Sequence, residues 1–157
     1  MAGLNGALVF GFFSFAAGFV CLSMAIYLAP YWKKTNARLL LLLVIAVAVW
    51  SLTYGMELIS PNLILKLWWV KFQYFGAAWI GMLLFCFVLG IAMRRRQMRP
   101  IEYIVLGLVP IAAILLVLTN STHHLMWRLA WLDLTDSGIV MAYRRGAGFW
   151  GFISYSY

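Results

Sequence analysis

Long apolar runs separated by short polar segments dominate the pattern of this chain. A helix needs roughly 20 apolar residues to cross a hydrocarbon core of about 30 Å. Four runs reach that length, and they predict spans at about residues 7–29, 39–58, 63–93 and 101–119. A further run at 148–157 covers about half a span, because its helical rise is about 15 Å. The pattern predicts an all-α integral membrane protein, a polytopic helical bundle in one domain with four full spans and the start of a fifth.

The longest polar segment, residues 120–147, lies between the fourth and fifth runs. Apolar residues alternate with others in its first half, at Leu125, Trp127, Leu129 and Trp131. The turn sequence Thr135-Asp136-Ser137-Gly138 then leads into the β-prone residues 139–143. Alternation on both sides of a turn is typical of a β-hairpin. We therefore expect a small hairpin lying on the membrane surface.

Composition supports a membrane protein and argues against other classes. Hydrophobic residues make up 66% of the chain and charged residues only 10%, whereas a soluble domain carries roughly 25% charged residues. A transmembrane barrel would show short segments of alternating hydrophobicity instead of long continuous runs. The two cysteines, Cys21 and Cys86, lie inside apolar runs and match no metal or redox spacing, so we interpret them as packing residues.

The net charge of +8 is concentrated in two of the predicted loops. Seven of the twelve basic residues lie there: Lys33, Lys34, Arg38, Arg94, Arg95, Arg96 and Arg99. The positive-inside rule predicts that loops 33–38 and 94–100 are cytoplasmic in a bacterial inner membrane, and that the N-terminus and segment 120–147 are extracytoplasmic. The same seven side chains are predicted to contact anionic lipid headgroups. Loops this short do not favour a nucleic-acid partner.

Ionisable side chains near the Ser60-Pro61-Asn62 turn form the first candidate site. Glu57 ends the second apolar run, and Lys66 and Lys71 lie near the start of the third. Antiparallel helices joined by so short a turn would bring Glu57 near Lys66, so we expect these two to pair. Lys71 lies five residues further on, about 7.5 Å along the helix axis. Such a cluster is either a functional site or a clamp that fixes the two helices.

A second candidate site lies at the end of the fourth run, where Asn120, His123 and His124 precede Trp127. Three roles are open to these residues: polar capping of the helix end, pH sensing by an imidazole, or metal binding. Metal binding is the least favoured, because Asp133 and Asp136 are distant in sequence. The chain shows no phosphate-binding loop, nucleophile elbow or paired carboxylates, so we expect neither enzymatic activity nor a cofactor.

Four separated blocks of the sequence form a pattern. The first two are Glu57-Leu58-Ile59-Ser60-Pro61 and then Lys66, Lys71 and Gln73-Tyr74-Phe75-Gly76. The third comprises Thr119-Asn120, His123 and Trp127, and the fourth Gly148-Phe149-Trp150 with Tyr155 and Tyr157. Together they resemble the seven-helix N-terminal sensor region of bacterial histidine kinases, which also occurs on some diguanylate cyclases. One departure is Trp79-Ile80-Gly81, where the family often has proline in the third helix.

The resemblance implies a signal-input membrane module, truncated after about four and a half helices and without its cytoplasmic output domain. The implied signal-binding or clamp residues are Glu57, Lys66, Lys71, Tyr74, Asn120, His123 and Trp127. The alternative is an accessory scaffold subunit of a larger membrane complex, respiratory or photosynthetic. Partners expected besides the bilayer are further copies of the chain or other membrane subunits. A transporter is disfavoured, because the spans offer no polar groups at the midplane.

Overall fold

Four long helices make up most of the computed structural model, which describes residues 2–92, 99–135 and 138–156. They are α1 (Ala2–Leu28), α2 (Thr35–Ile59), α3 (Leu63–Ala92) and α4 (Pro100–Leu118). All four are long and apolar enough to cross a membrane, as the sequence pattern predicted. Three of these helices begin earlier than the predicted spans, α1 by five residues, α2 by four and α4 by one. The predicted lipid-contacting residues Arg94, Arg95 and Arg96 lie outside the described residues.

Proline and local capping set the helix boundaries. Pro30 lies in a single 3₁₀ turn, Ala29–Tyr31, that follows α1 directly. Pro100 occupies the first helical position of α4, where its missing N–H costs nothing. The Glu102 carboxylate accepts a hydrogen bond from the Arg99 main-chain N–H at 2.7 Å, which satisfies one of the unpaired donors there.

A close antiparallel contact joins α2 and α3. Pro61 forces Ser60 into an extended conformation, so α2 ends there and the chain reverses direction. Further along, a Cβ atom added at Gly76 would clash with the main-chain oxygen of Ala46. The absence of a side chain at Gly76 therefore lets the two backbones touch. Further toward the C-terminal end of α3, Cys86 is buried in an apolar cluster with Leu39, Ala46, Met82 and Leu83, in agreement with its predicted packing role.

Small residues also bring α1 against α2. Gly18 faces the side chain of Leu52, and Gly55 faces the ring of Phe15. Because Gly11 near the start of α1 meets Ile59 at the end of α2, the two helices are antiparallel. The first three helices thus form a consecutive up-and-down series.

The predicted hairpin is present. Its strands are β1 (Trp127–Thr135) and β2 (Gly138–Arg145), paired antiparallel with Trp131 opposite Ala142. The register shifts between Trp127 and Leu129, which marks a bulge at the start of β1. The turn residues Asp136 and Ser137 lie outside the described residues. A short helix, α5 (Asn120–His123), lies between α4 and the hairpin and was not predicted from the sequence.

The hairpin packs on the helix bundle instead of projecting freely from it. Met126, Trp127 and Met141 are buried in one cluster with Val70 of α3 and Val117 of α4. This docking places the strands over the end of the bundle where α2 passes into α3. We call this the hairpin end; the opposite end contains the α1–α2 connection and the start of α4.

The helix α6 (Ala147–Ser156) follows β2 directly and returns along the bundle. Its Tyr155 hydroxyl donates a hydrogen bond to the main-chain oxygen of Leu106 in α4 at 2.7 Å. On its other side, the Ser156 main chain lies against Gly81 of α3. Helix α6 therefore contacts both α3 and α4. Tyr157 lies outside the described residues.

Candidate functional site

A cavity of about 660 Å³ lies between α2, α3, the hairpin and α6. Its size falls within the range of roughly 300–1,000 Å³ typical of small-molecule sites. Polar groups line the part beneath the hairpin: Tyr54, Glu57, Lys66, Gln73, Tyr74, Tyr143 and Arg145. The part further along the bundle is lined mainly by apolar side chains, among them Ile80, Leu84, Phe152 and Ile153. We call this space the hairpin cavity.

Lys66 is the most deeply buried charged residue of the cavity wall, with 1% of its surface exposed. Its Nζ atom donates hydrogen bonds to the main-chain oxygens of Glu57 at 2.7 Å and Leu58 at 3.4 Å. These carbonyls belong to the last turn of α2, where carbonyl groups have no partner within the helix. A cation at a helix C-terminus is also favoured by the helix dipole. Lys66 therefore caps α2.

The structure corrects the expected ion pair between Glu57 and Lys66: the two residues are in contact, but not through the Glu57 carboxylate. Lys66 binds the main chain of Glu57, and the Glu57 carboxylate has a different hydrogen-bond partner. Its Oε2 atom accepts a hydrogen bond from Gln73 Nε2 at 2.6 Å, and only 5% of Glu57 is exposed. Gln73 was not among the residues predicted for this site. The sequence spacing could have indicated Gln73, because Lys66 and Gln73 are seven residues apart and share one face of α3.

Lys71 lies on a different face of α3. A separation of five residues from Lys66 corresponds to a rotation of about 140° around the helix. Its Nζ atom lies 5.2 Å from the centroid of the Trp68 ring, a cation–π arrangement. Lys71 lines a separate pocket of about 360 Å³, together with Asn120, Trp127 and Arg128. The predicted residues Lys66 and Lys71 therefore do not form one site.

Asn120 joins α4 to the hairpin. Its Oδ1 atom accepts hydrogen bonds from the main-chain N–H groups of Met126 at 2.8 Å and Trp127 at 3.2 Å. Its Nδ2 atom donates to the Trp127 main-chain oxygen at 2.9 Å, and the residue is only 3% exposed. A primary amide is suited to this position because it both donates and accepts. Asn120 fixes where β1 begins.

His123 lies in the junction between α4 and the hairpin, where its ring hydrogen-bonds the Thr119 hydroxyl and the Leu125 main chain. The capping role, one of the three open from the sequence, stays a prediction. The Leu125 main-chain N–H donates to His123 Nδ1 at 3.0 Å, so Nδ1 carries no proton. In the neutral ring the proton is therefore on Nε2, which lies 3.0 Å from the Thr119 hydroxyl oxygen. That hydroxyl in turn donates to the Leu115 main-chain oxygen at 2.6 Å. Among the residues that the structure describes, no group of three or more His, Cys, Asp or Glu is arranged to hold a metal ion.

Arg145 stacks between two aromatic rings at the edge of the hairpin cavity. Its Cζ atom lies 4.1 Å from the centroid of Phe149 and 4.5 Å from that of Tyr143. Burial raises the pKa of the Tyr143 phenol above its ordinary value, and the negative charge of Glu57 acts in the same direction. Neither Tyr143 nor Arg145 was predicted from the sequence to be a site residue. Their strand spacing of two, which places Tyr143 and Arg145 on one face of β2, was the available signal.

Aromatic side chains connect the remaining walls of the cavity. The Tyr74 ring of α3 lies 5.8 Å from the Phe152 ring of α6, and the Trp127 ring lies 6.4 Å from Tyr143 across the two strands. The predicted residues Glu57, Lys66, Tyr74 and Trp127 therefore meet at the hairpin cavity, whereas Asn120 and His123 hold the junction beside it. The cavity offers separate hydrogen-bonding and apolar surfaces, an arrangement suited to binding a ligand.

The family model of the N-terminal 7TM region of histidine kinase matches residues 13–157. The chain belongs to this family. The resemblance carried by the four sequence blocks is therefore confirmed, and the match extends into α1, ahead of the first block. No curated protein and no solved structure gives a significant match to the chain.

The four sequence blocks occupy distinct positions in the structure of this histidine kinase sensor region. Lys66, Gln73 and Tyr74 line the hairpin cavity, and Gly76 makes the close α2–α3 contact. The block at the end of α4 supplies the hydrogen bonds of Asn120 that hold the start of β1. Most residues of these blocks therefore lie toward the hairpin end of the bundle, whereas Tyr155 contacts Leu106 of α4 further along it.

Proposed function

We propose that this chain is the signal-input module of a membrane sensor and that the signal binds in the hairpin cavity. The observation that carries the proposal is the buried network at its wall, in which Lys66 and Gln73 of α3 hold the main chain and the carboxylate of Glu57 in α2. Membership of a sensor-region family supports the role of input, and the cavity supplies a place where a signal can act.

The network divides the cavity into a fixed wall and a movable wall. Lys66, Gln73 and the Gly76 contact hold α2 and α3 together, and leaving a buried hydrogen-bonding group without its partner costs about 1–3 kcal/mol. The opposite wall is formed by the hairpin and α6, which rest on the fixed pair through apolar and aromatic contacts. A ligand that fits one arrangement of this wall better than another shifts the population between them.

Helix α6 offers a route from the cavity toward the rest of the bundle. Phe152 and Ile153 line the cavity, while Tyr155 of the same helix is hydrogen-bonded to Leu106 of α4. A displacement of α6 by a bound molecule would therefore act on α4. In this proposal the output domain belongs to another part of the protein or to a partner.

The charge distribution supports an orientation with the hairpin cavity outside the cytoplasm. Lys33, Lys34 and Arg38 lie at the end of the bundle opposite the hairpin, as does Arg99. The Asn36 amide contacts the Gly90 main-chain oxygen at 3.4 Å, which brings α2 and α3 together at this same end. Under the positive-inside rule this end faces the cytoplasm of a bacterial inner membrane. Signals would then reach the cavity from outside or from the outer leaflet.

The test is whether filling the cavity changes the opposite end of the bundle. Spin labels would be attached to the full chain at Lys34→Cys and Arg99→Cys, with the native cysteines removed by Cys21→Ala and Cys86→Ala. The distribution of distances between the two labels would be measured in lipid nanodiscs by pulsed electron paramagnetic resonance. Ile153→Trp adds bulk inside the cavity, as a ligand would. Ser154→Trp is the matched control, because Ser154 is the next residue of α6 and is exposed outside the cavity.

The proposal expects Ile153→Trp to shift the distribution and Ser154→Trp to leave it unchanged. If neither variant shifts it, or both shift it equally, the cavity is not coupled to the opposite end and the proposal fails. The scaffold alternative makes a separate prediction: the protein isolated from its own membranes would carry unrelated membrane subunits in stoichiometric amounts.

A further inference from the structure

We infer that the ligand of the hairpin cavity is an amphiphile with one anionic headgroup, which binds Arg145, and an apolar chain that lies between α3 and α6. This inference rests on the proposed function, since it names the chemical class of the signal. Two features of the cavity support it. Within the part of the chain that the structure describes, Glu57 and Lys66 are hydrogen-bonded within the protein whereas Arg145 is not, and the polar and apolar walls of the cavity are separate.

The positive charge on Arg145 is available to a ligand. Within residues 2–92, 99–135 and 138–156, the guanidinium makes no hydrogen bond and no ion pair within 4.0 Å, and it contacts the faces of the Tyr143 and Phe149 rings. The Glu57 carboxylate of the same cavity interacts with it only through longer-range electrostatics. Stacking on rings orients the plane of the group but leaves its N–H donors at the edge unused. A guanidinium held in this way can donate two parallel hydrogen bonds to a carboxylate or phosphate.

The other two charged groups of the cavity are already engaged. The Glu57 carboxylate is almost fully buried and accepts a hydrogen bond from Gln73, while the Lys66 ammonium donates to two main-chain oxygens. With one acidic and two basic side chains, the ionisable lining has a formal charge of +1. Charge complementarity therefore favours an anionic headgroup at Arg145 over a cationic headgroup at Glu57.

The apolar part of the cavity determines the remainder of the ligand. Beyond Gln73 the α3 wall continues to Leu84, a rise of about 16 Å along the helix. Ile80 and Leu84 line this stretch, with Phe152 and Ile153 of α6 facing the same space. Hydrogen-bonding groups are concentrated at one end of the cavity, so a wholly polar anion would leave the apolar walls without contacts. An alkyl chain of medium length satisfies them.

A photo-crosslinking competition tests this class of ligand. The full chain, in nanodiscs of zwitterionic lipid, would be labelled by a dodecanoate analogue carrying a diazirine near the end of its chain. Competitors would be dodecanoate, dodecanol and dodecyltrimethylammonium, which share one chain and differ in headgroup charge. Each would be tested on the unmodified protein, Arg145→Gln and Arg145→Lys. Arg144→Gln is the matched control, because Arg144 is the neighbouring, exposed residue of β2 and does not line the cavity.

We expect labelling of peptides that contain residues 80–84 and 152–156, with dodecanoate competing roughly tenfold better than dodecanol, as charged hydrogen bonds require. Arg145→Gln should abolish that preference, Arg145→Lys should restore part of it, and Arg144→Gln should retain it in full. A second series with phosphatidylglycerol in the nanodisc identifies the source of the anion. Displacement by that lipid, dependent on Arg145, indicates a membrane lipid; displacement by dodecanoate alone indicates a single-chain amphiphile.

Equal competition by the alcohol, preference for the trimethylammonium compound, or the same loss in Arg144→Gln would overturn the inference. The spin-label measurement at Lys34 and Arg99 needs no ligand, so it separates the two proposals. If Ile153→Trp shifts that distance while no headgroup preference is found, the sensor function stands and the ligand class is wrong.

Discussion

The Nζ atom of Lys66 lies 2.7 Å from the main-chain oxygen of Glu57, so the ammonium of α3 closes the C-terminus of α2. The turn at Ser60-Pro61-Asn62 makes this contact possible, because it returns the chain within one helix diameter of the residues it has just left. Lys66 thus acts as a structural residue at the same position where the cavity begins. The Glu57 carboxylate instead accepts a hydrogen bond from Gln73, which joins α2 and α3 about two helical turns beyond Lys66.

Replacing Lys66 with methionine should destabilise the bundle more than the same change at Lys71. Lys66→Met keeps most of the side-chain volume but removes the ammonium donor from the carbonyls of Glu57 and Leu58, so that Glu57 keeps only the Ser60 main-chain N–H at 3.2 Å. We expect a loss of about 1–3 kcal/mol. Lys71→Met removes a cation–π contact of about 0.5–1 kcal/mol. Equilibrium unfolding in mixed micelles measures both. Equal losses would show that the capping contact does not stabilise α2.

Gly76→Ala should weaken the packing of α2 against α3. The new Cβ atom would clash with the Ala46 main-chain oxygen and lie about as close to the main chain of Trp50, where neither backbone can move independently. Overpacking of this kind costs about 1–3 kcal/mol. Gly151→Ala is the control, because a Cβ atom there meets nothing within 4 Å. Thermal unfolding that is unchanged in Gly76→Ala would refute the close approach of these two helices.

Asn120→Asp should loosen the hairpin while α4 stays intact. Aspartate keeps the acceptor for the N–H groups of Met126 and Trp127 but places a second oxygen, in place of a donor, against the Trp127 carbonyl. We expect faster amide hydrogen exchange throughout β1 and β2, with exchange in α4 unaltered. Ser121→Ala, at the adjacent exposed residue, should leave both rates unchanged. Protection of the strands equal to that of the unmodified protein would contradict the clamp role of Asn120.

The helices and the hairpin could be predicted from patterns that are local in the sequence, but the contacts between distant elements could not. The apolar runs gave the helices and the alternation around Trp127 gave the hairpin, because each pattern repeats within a single element. The hydrogen bond between Glu57 and Gln73 was not predicted, because Lys66 was expected to bind the Glu57 carboxylate. Lys66 binds main-chain oxygens at the end of α2 instead, and a pattern of side chains does not show these acceptors. Arg145 was missed because strand β2 reaches the cavity only after the hairpin docks on α3 and α4, and nothing in its own sequence encodes that docking.

Tyr143→Phe should reduce the loss of stability at alkaline pH. Burial raises the pKa of the Tyr143 phenol, so in the folded protein the group stays neutral where an unfolded tyrosine, with a pKa of about 10, is ionised. Above about pH 10 the unfolded state binds fewer protons than the folded state, and the free energy of unfolding falls as pH rises toward the higher folded pKa. The contribution of the neutral phenol is fully present below pH 10. Phenylalanine does not titrate, so the variant should lose less stability over that alkaline window than the unmodified protein.

The measurement is the free energy of unfolding in mixed micelles, followed by tryptophan fluorescence at neutral pH and at several alkaline values. The neutral-pH difference between the two proteins serves as the control, because it contains the packing change caused by removing the hydroxyl and no contribution from ionisation. What remains after subtraction is the ionisation of Tyr143. If both proteins lose stability in parallel above pH 10, the Tyr143 hydroxyl is not shielded from solvent, and the hairpin does not cover this wall of the cavity.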